Sequence, residues 1–124
     1  MRVSWTYLKA HIINGKLHPG CLITRDTKTH TRYLRFKEKK GNLRAYILRT
    51  YLKNKRFTLV PNAFPYELRK GITHYVLFAV EPVEPVDVDN LLELSFPGQQ
   101  SLWYVNEPYL QSIPTVWHCQ VFVK

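Results

Sequence analysis

The sequence has few of the residues and motifs that mark catalytic or metal-binding proteins. Its two cysteines, Cys21 and Cys119, lack the C-x-x-C spacing and the nearby histidine pattern of a zinc site. A secreted disulfide scaffold would usually hold more cysteine, so two reduced thiols are favoured over a bridge between them. There is also no Gly-rich phosphate loop and no catalytic triad signature. We therefore predict neither a metal nor a cofactor.

Long apolar segments are also missing. The longest purely apolar run covers residues 75–80, far short of the roughly 20 residues that a membrane-spanning helix needs. The first residues carry no apolar stretch of the kind that a secretory signal has. These absences predict a protein that has no membrane partner, is not secreted and stays inside the cell, in the cytoplasm or the nucleus.

Apolar residues are nevertheless sufficient for a core. The chain has 124 residues, of which 45% are apolar and 14% are aromatic. That length suits one domain, and such a domain can bury a core without a metal or a disulfide. We predict a single domain over residues 1–124, with a basic helical part over 1–56 and a mainly strand part over 57–124.

Positive charge is concentrated in the first part of the chain. The sequence holds 18 Lys and Arg against 9 Asp and Glu, a net charge of +9. Residues 1–56 contain 15 of these basic residues and 2 acids, whereas residues 57–124 contain 3 basic residues and 7 acids. A field of one sign attracts polyanions, most often phosphate backbones, or acidic proteins. The alternative is a solvated basic face that only keeps the protein soluble.

Helical spacing dominates the basic part. Helices are predicted over residues 4–14, 27–40 and 43–53, with Ser4 as the first N-cap and Gly15 just beyond the end of the first helix. Basic side chains around the second helix recur at spacings of three and four, which would align them in a stripe. The predicted stripe consists of Arg25, Lys28, Arg32, Arg35 and Lys39.

Strand patterns follow in the second part. Strands are predicted over residues 57–60, 72–80 and 116–123, and the apolar 72–80 run indicates a central strand covered on both faces. The acidic, proline-containing segment 81–89 is predicted to be an extended connector. Helices that precede strands, without βαβ alternation, indicate an α+β fold in which N-terminal helices pack on a small antiparallel or mixed β-sheet.

Several motifs occur together in an order that resembles a known family. The most specific part is Asn62-Ala63-Phe64-Pro65-Tyr66 followed by Gly71-Ile72-Thr73-His74, and the end adds Trp103, Asn106 and Val116-Trp117-His118. This resembles the uncharacterised domain family of fungal N-acetylglucosamine-induced protein 1-like proteins, which also has short stand-alone members in large DNA viruses. The resemblance covers most of the chain. It implies a fold and candidate positions, and not an activity.

Two histidines are the sharpest candidates for chemistry. If their strands pair in a suitable register, His74 and His118 would meet on one face and could act as an acid–base couple on a phosphoester. Arg25 could then hold the phosphate bidentately. Further side chains could orient a substrate by hydrogen bonds, namely Asn62, Tyr66 and Asn106. The alternative is that both histidines are hydrogen-bonded residues of the core.

These observations support hypotheses of different classes. The first is a non-enzymatic binding or structural protein that engages a polyanion, such as nucleic acid, or an acidic protein through its basic helical face. A viral stand-alone form would suit a virion-associated role. The second is a small histidine-dependent hydrolase or phosphoesterase that uses His74 and His118. The third, which rests on the fungal family label alone, is a sensor of a phosphorylated sugar. The resembled family often ends in His-aromatic-His, and the replacement of its last histidine by Gln120 favours the first hypothesis.

Overall fold

The predicted α+β class is confirmed by a computed structural model, which describes residues 2–106 and 116–124. In these residues the helices are α1 (Trp5–His11), α2 (Thr27–Lys40), α3 (Leu43–Thr50) and α4 (Pro85–Ser95). The strands are β1 (Ile12–Ile13), β2 (Lys16–Leu17), β3 (Phe57–Pro61), β4 (Thr73–Ala79), β5 (Ser101–Tyr104) and β6 (Trp117–Val123).

The larger sheet is antiparallel throughout, in the order β3-β4-β6-β5. The predicted central strand is therefore confirmed as β4, which pairs with β3 on one side and with β6 on the other. In this register His74 pairs with Phe122, and His118 pairs with Phe78. Paired residues of antiparallel strands point to the same face, so His74 shares a face with Phe122. Phe122 and His118 are four residues apart on β6 and also share a face, so both histidines lie on one face of the sheet.

Helices lie on both faces of this sheet. On the face that bears the two histidines, α1 and α3 contribute the buried Leu8 and Ile47 to the core. On the other face, α4 packs through Val88 and Leu92, which are almost completely buried. The basic part of the sequence thus covers one face, while α4, which carries three acids and no basic residue, covers the other.

The first helix is shorter than predicted. It ends at His11, and the chain turns directly into the β1–β2 hairpin, in which Ile12 pairs with Leu17. The turn residues Asn14 and Gly15 have φ angles of 53° and 73°, the left-handed region that a two-residue Asn-Gly hairpin requires. Gly15 is therefore a hairpin residue and not the end of a helix. The Asn-Gly dipeptide outweighed the helical spacing that precedes it.

Replacing Gly15 by alanine is expected to destabilise the fold by about 3 kcal/mol, because it combines an unfavourable φ with overpacking. A Cβ at Gly15 would lie 2.5 Å from the Trp103 ring, and φ is +73°. Gly20→Ala is the matched control, since Gly20 has a φ of +86° but no atom within 4 Å of its added Cβ. Urea denaturation of both variants measures the difference. Equal losses would show that contact with Trp103 adds nothing.

The acidic segment 81–89 was predicted to be an extended connector, and this prediction is wrong. The segment contains the start of α4. Pro85 occupies the first turn, where its missing N–H costs no hydrogen bond. Asp87 also lies in the first turn, where its negative charge stabilises the helix. Burial of Val88 against the sheet then fixes the helix. The composition of the segment concealed this helix, because proline and acids are also typical of linkers.

Among the described residues, no helix is long and apolar enough to span a membrane.

Candidate functional site

A cavity of about 230 Å³ lies between α2, α3 and the histidine-bearing face of the sheet. Its floor is formed by residues of β4 and β6, namely Val76, Phe78, His118 and Gln120. Its walls are mainly aromatic and include Tyr33, Phe36, Tyr46, Tyr51, Phe64 and Tyr66. An apolar enclosure with a few polar groups is the usual form of a small-molecule site.

The loop after β3 shapes one wall of this cavity. Asn62 Oδ1 accepts a hydrogen bond of 2.8 Å from the Phe64 backbone N–H, which closes a local turn. That turn brings the Phe64 ring to 5.3 Å from the Tyr33 ring and 5.2 Å from the Phe36 ring, between centroids. The loop after β3 is therefore held in place as part of the site by these contacts.

Arg25 enters the cavity from the loop before α2. Its Nε donates to the Phe64 carbonyl at 2.7 Å, and its guanidinium carbon lies 4.1 Å from the Tyr33 ring centroid and 5.3 Å from that of Tyr66. Asp26 is the N-cap of α2, so Arg25 precedes the helix and does not belong to the predicted stripe. No carboxylate of residues 2–106 or 116–124 lies within ion-pair distance of this guanidinium.

His74 is held behind the cavity wall with both ring nitrogens in use. The backbone N–H of Tyr66 donates to His74 Nδ1 at 3.1 Å, so the proton of the neutral ring is on Nε2. His74 Nε2–H in turn donates to Gln120 Oε1 at 2.7 Å. Burial lowers the pKa of His74 to about 3, so the ring is neutral near pH 7. This geometry suits a structural histidine that positions Gln120.

Two amide groups are consequently left to face a ligand. Because Gln120 Oε1 accepts from His74, the Gln120 NH₂ group remains available to donate. Asn62 Nδ2 lies 3.4 Å from His74 Nε2, but both atoms carry hydrogen, so this contact is no hydrogen bond. The cavity therefore presents amide N–H donors from both side chains.

His118 contributes the opposite polarity. Its Nδ1–H donates to the Val116 carbonyl at 2.7 Å, which leaves Nε2 as an acceptor on a side chain that lines the cavity. Burial lowers the pKa of His118, which keeps the ring neutral and this acceptor available. Among the described residues, every fully buried side-chain nitrogen or oxygen has a hydrogen-bond partner. The hydrogen bond of His118 uses Nδ1, so Nε2 must be accessible from the cavity.

The two histidines share a face, but they do not form a couple. His74 pairs with Phe122, four residues along β6 from His118, which corresponds to about 13 Å between their backbone positions. Gln120 lies between them on the same face and bonds to His74. Neither ring can therefore pass a proton directly to the other.

The remaining predicted residues of the site do converge. Tyr66 and Asn106 line the cavity, and Asn106 Nδ2 donates to the Tyr66 hydroxyl at 3.5 Å. Both also line an adjoining cavity of about 460 Å³, together with Arg25 and Tyr33. Arg25, Asn62, Tyr66, Asn106 and His118 thus line one site, with His74 behind it.

The basic stripe is exposed on α2 and reaches the edge of this cavity. Its members in the helix are Lys28, Arg32, Arg35 and Lys39, and all four are exposed. The guanidinium carbon of Arg32 lies 5.7 Å from the Phe64 ring centroid, and Lys40 Nζ lies 5.0 Å from that of Tyr46. The cavity therefore has an aromatic interior and a cationic rim.

Sequence reasoning missed Gln120 and most of the aromatic wall as parts of a site. The sequence marks Gln120 only as the residue that replaces the last histidine of the resembled family. Aromatic residues at helical spacing usually belong to a core. The Phe36 ring lies 5.4 Å from the Tyr46 ring, and both are only half-buried, which separates them from ordinary core residues. In the described part of the chain, no group of three or more His, Cys, Asp or Glu side chains could hold a metal ion.

No protein-family model matches this sequence, and it matches no curated protein. Among solved structures, the crystal structure of HTC1 is similar in fold, with a TM-score of 0.71 and 18% sequence identity. The alignment covers 97% of this chain and 84% of that one. A likeness at this level of identity shows a common fold alone. The resemblance to the fungal N-acetylglucosamine-induced family therefore stays a prediction.

Proposed function

We propose that the protein is a non-enzymatic binding protein whose basic helical face engages the phosphate backbone of a nucleic acid. The observation that carries this proposal is the exposed stripe of Lys28, Arg32, Arg35 and Lys39 along α2. Their spacing of three and four residues directs these side chains to one side of the helix, where they can contact successive phosphates.

The charge of this face is not neutralised within the described chain. Arg56 lies 3.9 Å from Glu81, but no side chain of the stripe lies within ion-pair distance of a carboxylate among the described residues. Asp26 interacts electrostatically with Lys28 without forming an ion pair. The acids of α4 lie on the opposite side of the sheet. A cationic surface that forms no ion pairs within the described residues is typical of proteins that bind a polyanion.

The hydrolase alternative receives less support from the geometry. His74 uses both nitrogens in structural hydrogen bonds, and among the described residues that line the cavity His118 has no second histidine and no carboxylate beside it. An intracellular setting, or a virion for a viral protein, would supply the nucleic acid that the proposal requires. An acidic protein would be attracted by the same stripe, and the test below distinguishes the two partners.

The test is binding of a labelled non-specific DNA duplex and an RNA hairpin across a salt series. If four stripe residues contact phosphates, log Kd should rise with log salt with a slope of about 4 on the duplex. Polyglutamate serves as the competitor that mimics an acidic protein. Absence of nucleic-acid binding at low salt, with retention of polyglutamate binding, would replace the proposed partner by an acidic protein.

A further inference from the structure

We infer that the cavity between α2, α3 and the sheet binds one planar heteroaromatic ring, a nucleobase that carries a phosphate. This inference deepens the proposed function, because a nucleic acid with an unpaired base is one source of such a ring. A free nucleotide is the other source. The exposed stripe explains attraction to phosphate, but it does not explain a partly polar, aromatic cavity beside it.

The polar groups on the cavity floor match the edge of a base. Gln120 and His118 are 6% and 7% exposed, and their hydrogen bonds to His74 and Val116 fix which atoms remain for a ligand. The remaining groups are an amide N–H donor and an imidazole acceptor. They lie two residues apart on one face of β6, about 7 Å between backbone positions. A base edge presents an acceptor beside a donor, which is the complement of this pair.

The walls suit the faces of such a ring. Tyr46, Phe36 and Tyr51 line the cavity with rings that are only half-buried, and aromatic side chains stack on bases of any sequence. The volume of about 230 Å³ is below the roughly 300–1,000 Å³ of sites for drug-sized ligands. The cavity itself therefore has the size of one ring system.

The rim determines the charge of the ligand. Arg25, Arg32 and Lys40 each place a cationic group within 6 Å of a ring that lines the cavity. Aromatic cages of this kind can hold quaternary ammonium groups, but these fixed positive charges would repel a cation. Arg25 uses Nε on the Phe64 carbonyl, so its terminal NH₂ groups can donate to a phosphate attached to the bound base.

The first experiment is isothermal titration calorimetry with the 5′-monophosphates of adenosine, guanosine, cytidine and uridine. Ribose 5-phosphate and inorganic phosphate serve as ligands without a base. We expect at least one monophosphate to bind at least tenfold more tightly than ribose 5-phosphate. Equal affinities, or no binding of any monophosphate, would overturn the inference.

Variants then locate the binding. Tyr46→Ala and His118→Leu should each weaken the monophosphate at least tenfold, because one removes a stacking face and the other a base acceptor. Tyr7→Ala is the matched control, since Tyr7 lies on α1 and lines neither described cavity. Thermal unfolding checks that each variant is folded. Unchanged affinity in a folded Tyr46→Ala variant would contradict the assigned site.

Competition identifies the source of the base. Displacement of the monophosphate by a single-stranded oligonucleotide, but not by an abasic one of equal length, assigns the cavity to a nucleic acid. Displacement by neither assigns it to a free nucleotide. Equal displacement by both would show that phosphate alone occupies the site and would overturn the inference. Charge reversal of Arg35 and Lys39, which do not line the cavity, should weaken duplex binding about sixtyfold at about 0.1 M salt while monophosphate binding remains, so the two proposals can fail separately.

Discussion

Replacing Arg32, Arg35 and Lys39 together by glutamate is expected to weaken duplex binding about five hundredfold at about 0.1 M salt. Each phosphate contact contributes roughly 0.9 to the logarithmic salt slope, so three lost contacts remove about 2.7 decades of affinity relative to 1 M salt. All three side chains are exposed on α2, so the fold should not be affected. Fluorescence anisotropy with a labelled duplex measures the change.

The control for this variant must change the charge equally at another place. Lys9, Lys16 and Lys70 are exposed and lie outside α2 and α3, on α1, on β2 and in the loop before β4. Their triple replacement by glutamate alters the net charge by the same amount. If both variants lose affinity equally, total charge and not the stripe attracts the polyanion.

Replacing His74 by alanine is expected to lower the free energy of unfolding by about 4 kcal/mol. The substitution leaves a void beside Tyr66 and Phe122, whose ring centroids lie 4.5 Å and 4.9 Å from that of His74. It also leaves the Tyr66 N–H and Gln120 Oε1 without their partner. Urea denaturation measures the loss. His30→Ala, at an exposed position of α2, should change stability by less than about 0.5 kcal/mol.

The pH dependence of stability separates this structural role from simple loss of packing. The folded-state pKa of His74 is about 3, below the ordinary value of 6.5, so the unfolded chain binds the proton more readily. This contribution is fully present above pH 6.5 and is lost as the pH falls from 6.5 towards 3. Between pH 7 and 5 the free energy of unfolding should fall by about 2 kcal/mol through protonation of His74 in the unfolded chain. The His74→Ala variant should not show this fall. If the pH profile of the variant is unchanged, the acid sensitivity belongs to other groups. His118 is one of them, because burial lowers its pKa as well.

Local rules predicted those elements whose limits are set by neighbouring residues. Helix α2 follows the predicted range of 27–40, because Asp26 caps its first turn and Gly41, with a φ of +68°, ends it. The hairpin and α4 were missed where two local rules competed. Asn14-Gly15 interrupted a helical spacing, and Pro85 opened a helix within a segment that resembles a linker.

The convergence of site residues was partly predictable, but the register was not. Asn62 and Tyr66 flank the turn between β3 and β4, so their closeness to β4 follows from the sequence. The distance between His74 and His118 depends on how β6 aligns with β4, and both strands are so apolar that several alignments fit the pattern. The tautomer of His74, which turns the Gln120 amide towards the cavity, depends on that alignment as well.

The three-layer arrangement makes the protein an electric dipole. Basic helices cover one face of the sheet, and the exposed carboxylates of Asp87, Asp89 and Glu93 on α4 lie on the other. In the field of a polyanion such a molecule rotates before contact, so that α2 arrives first and the acidic face points away. The gain is in the rate of productive encounter more than in residence time, and it declines as added salt shortens the range of the field.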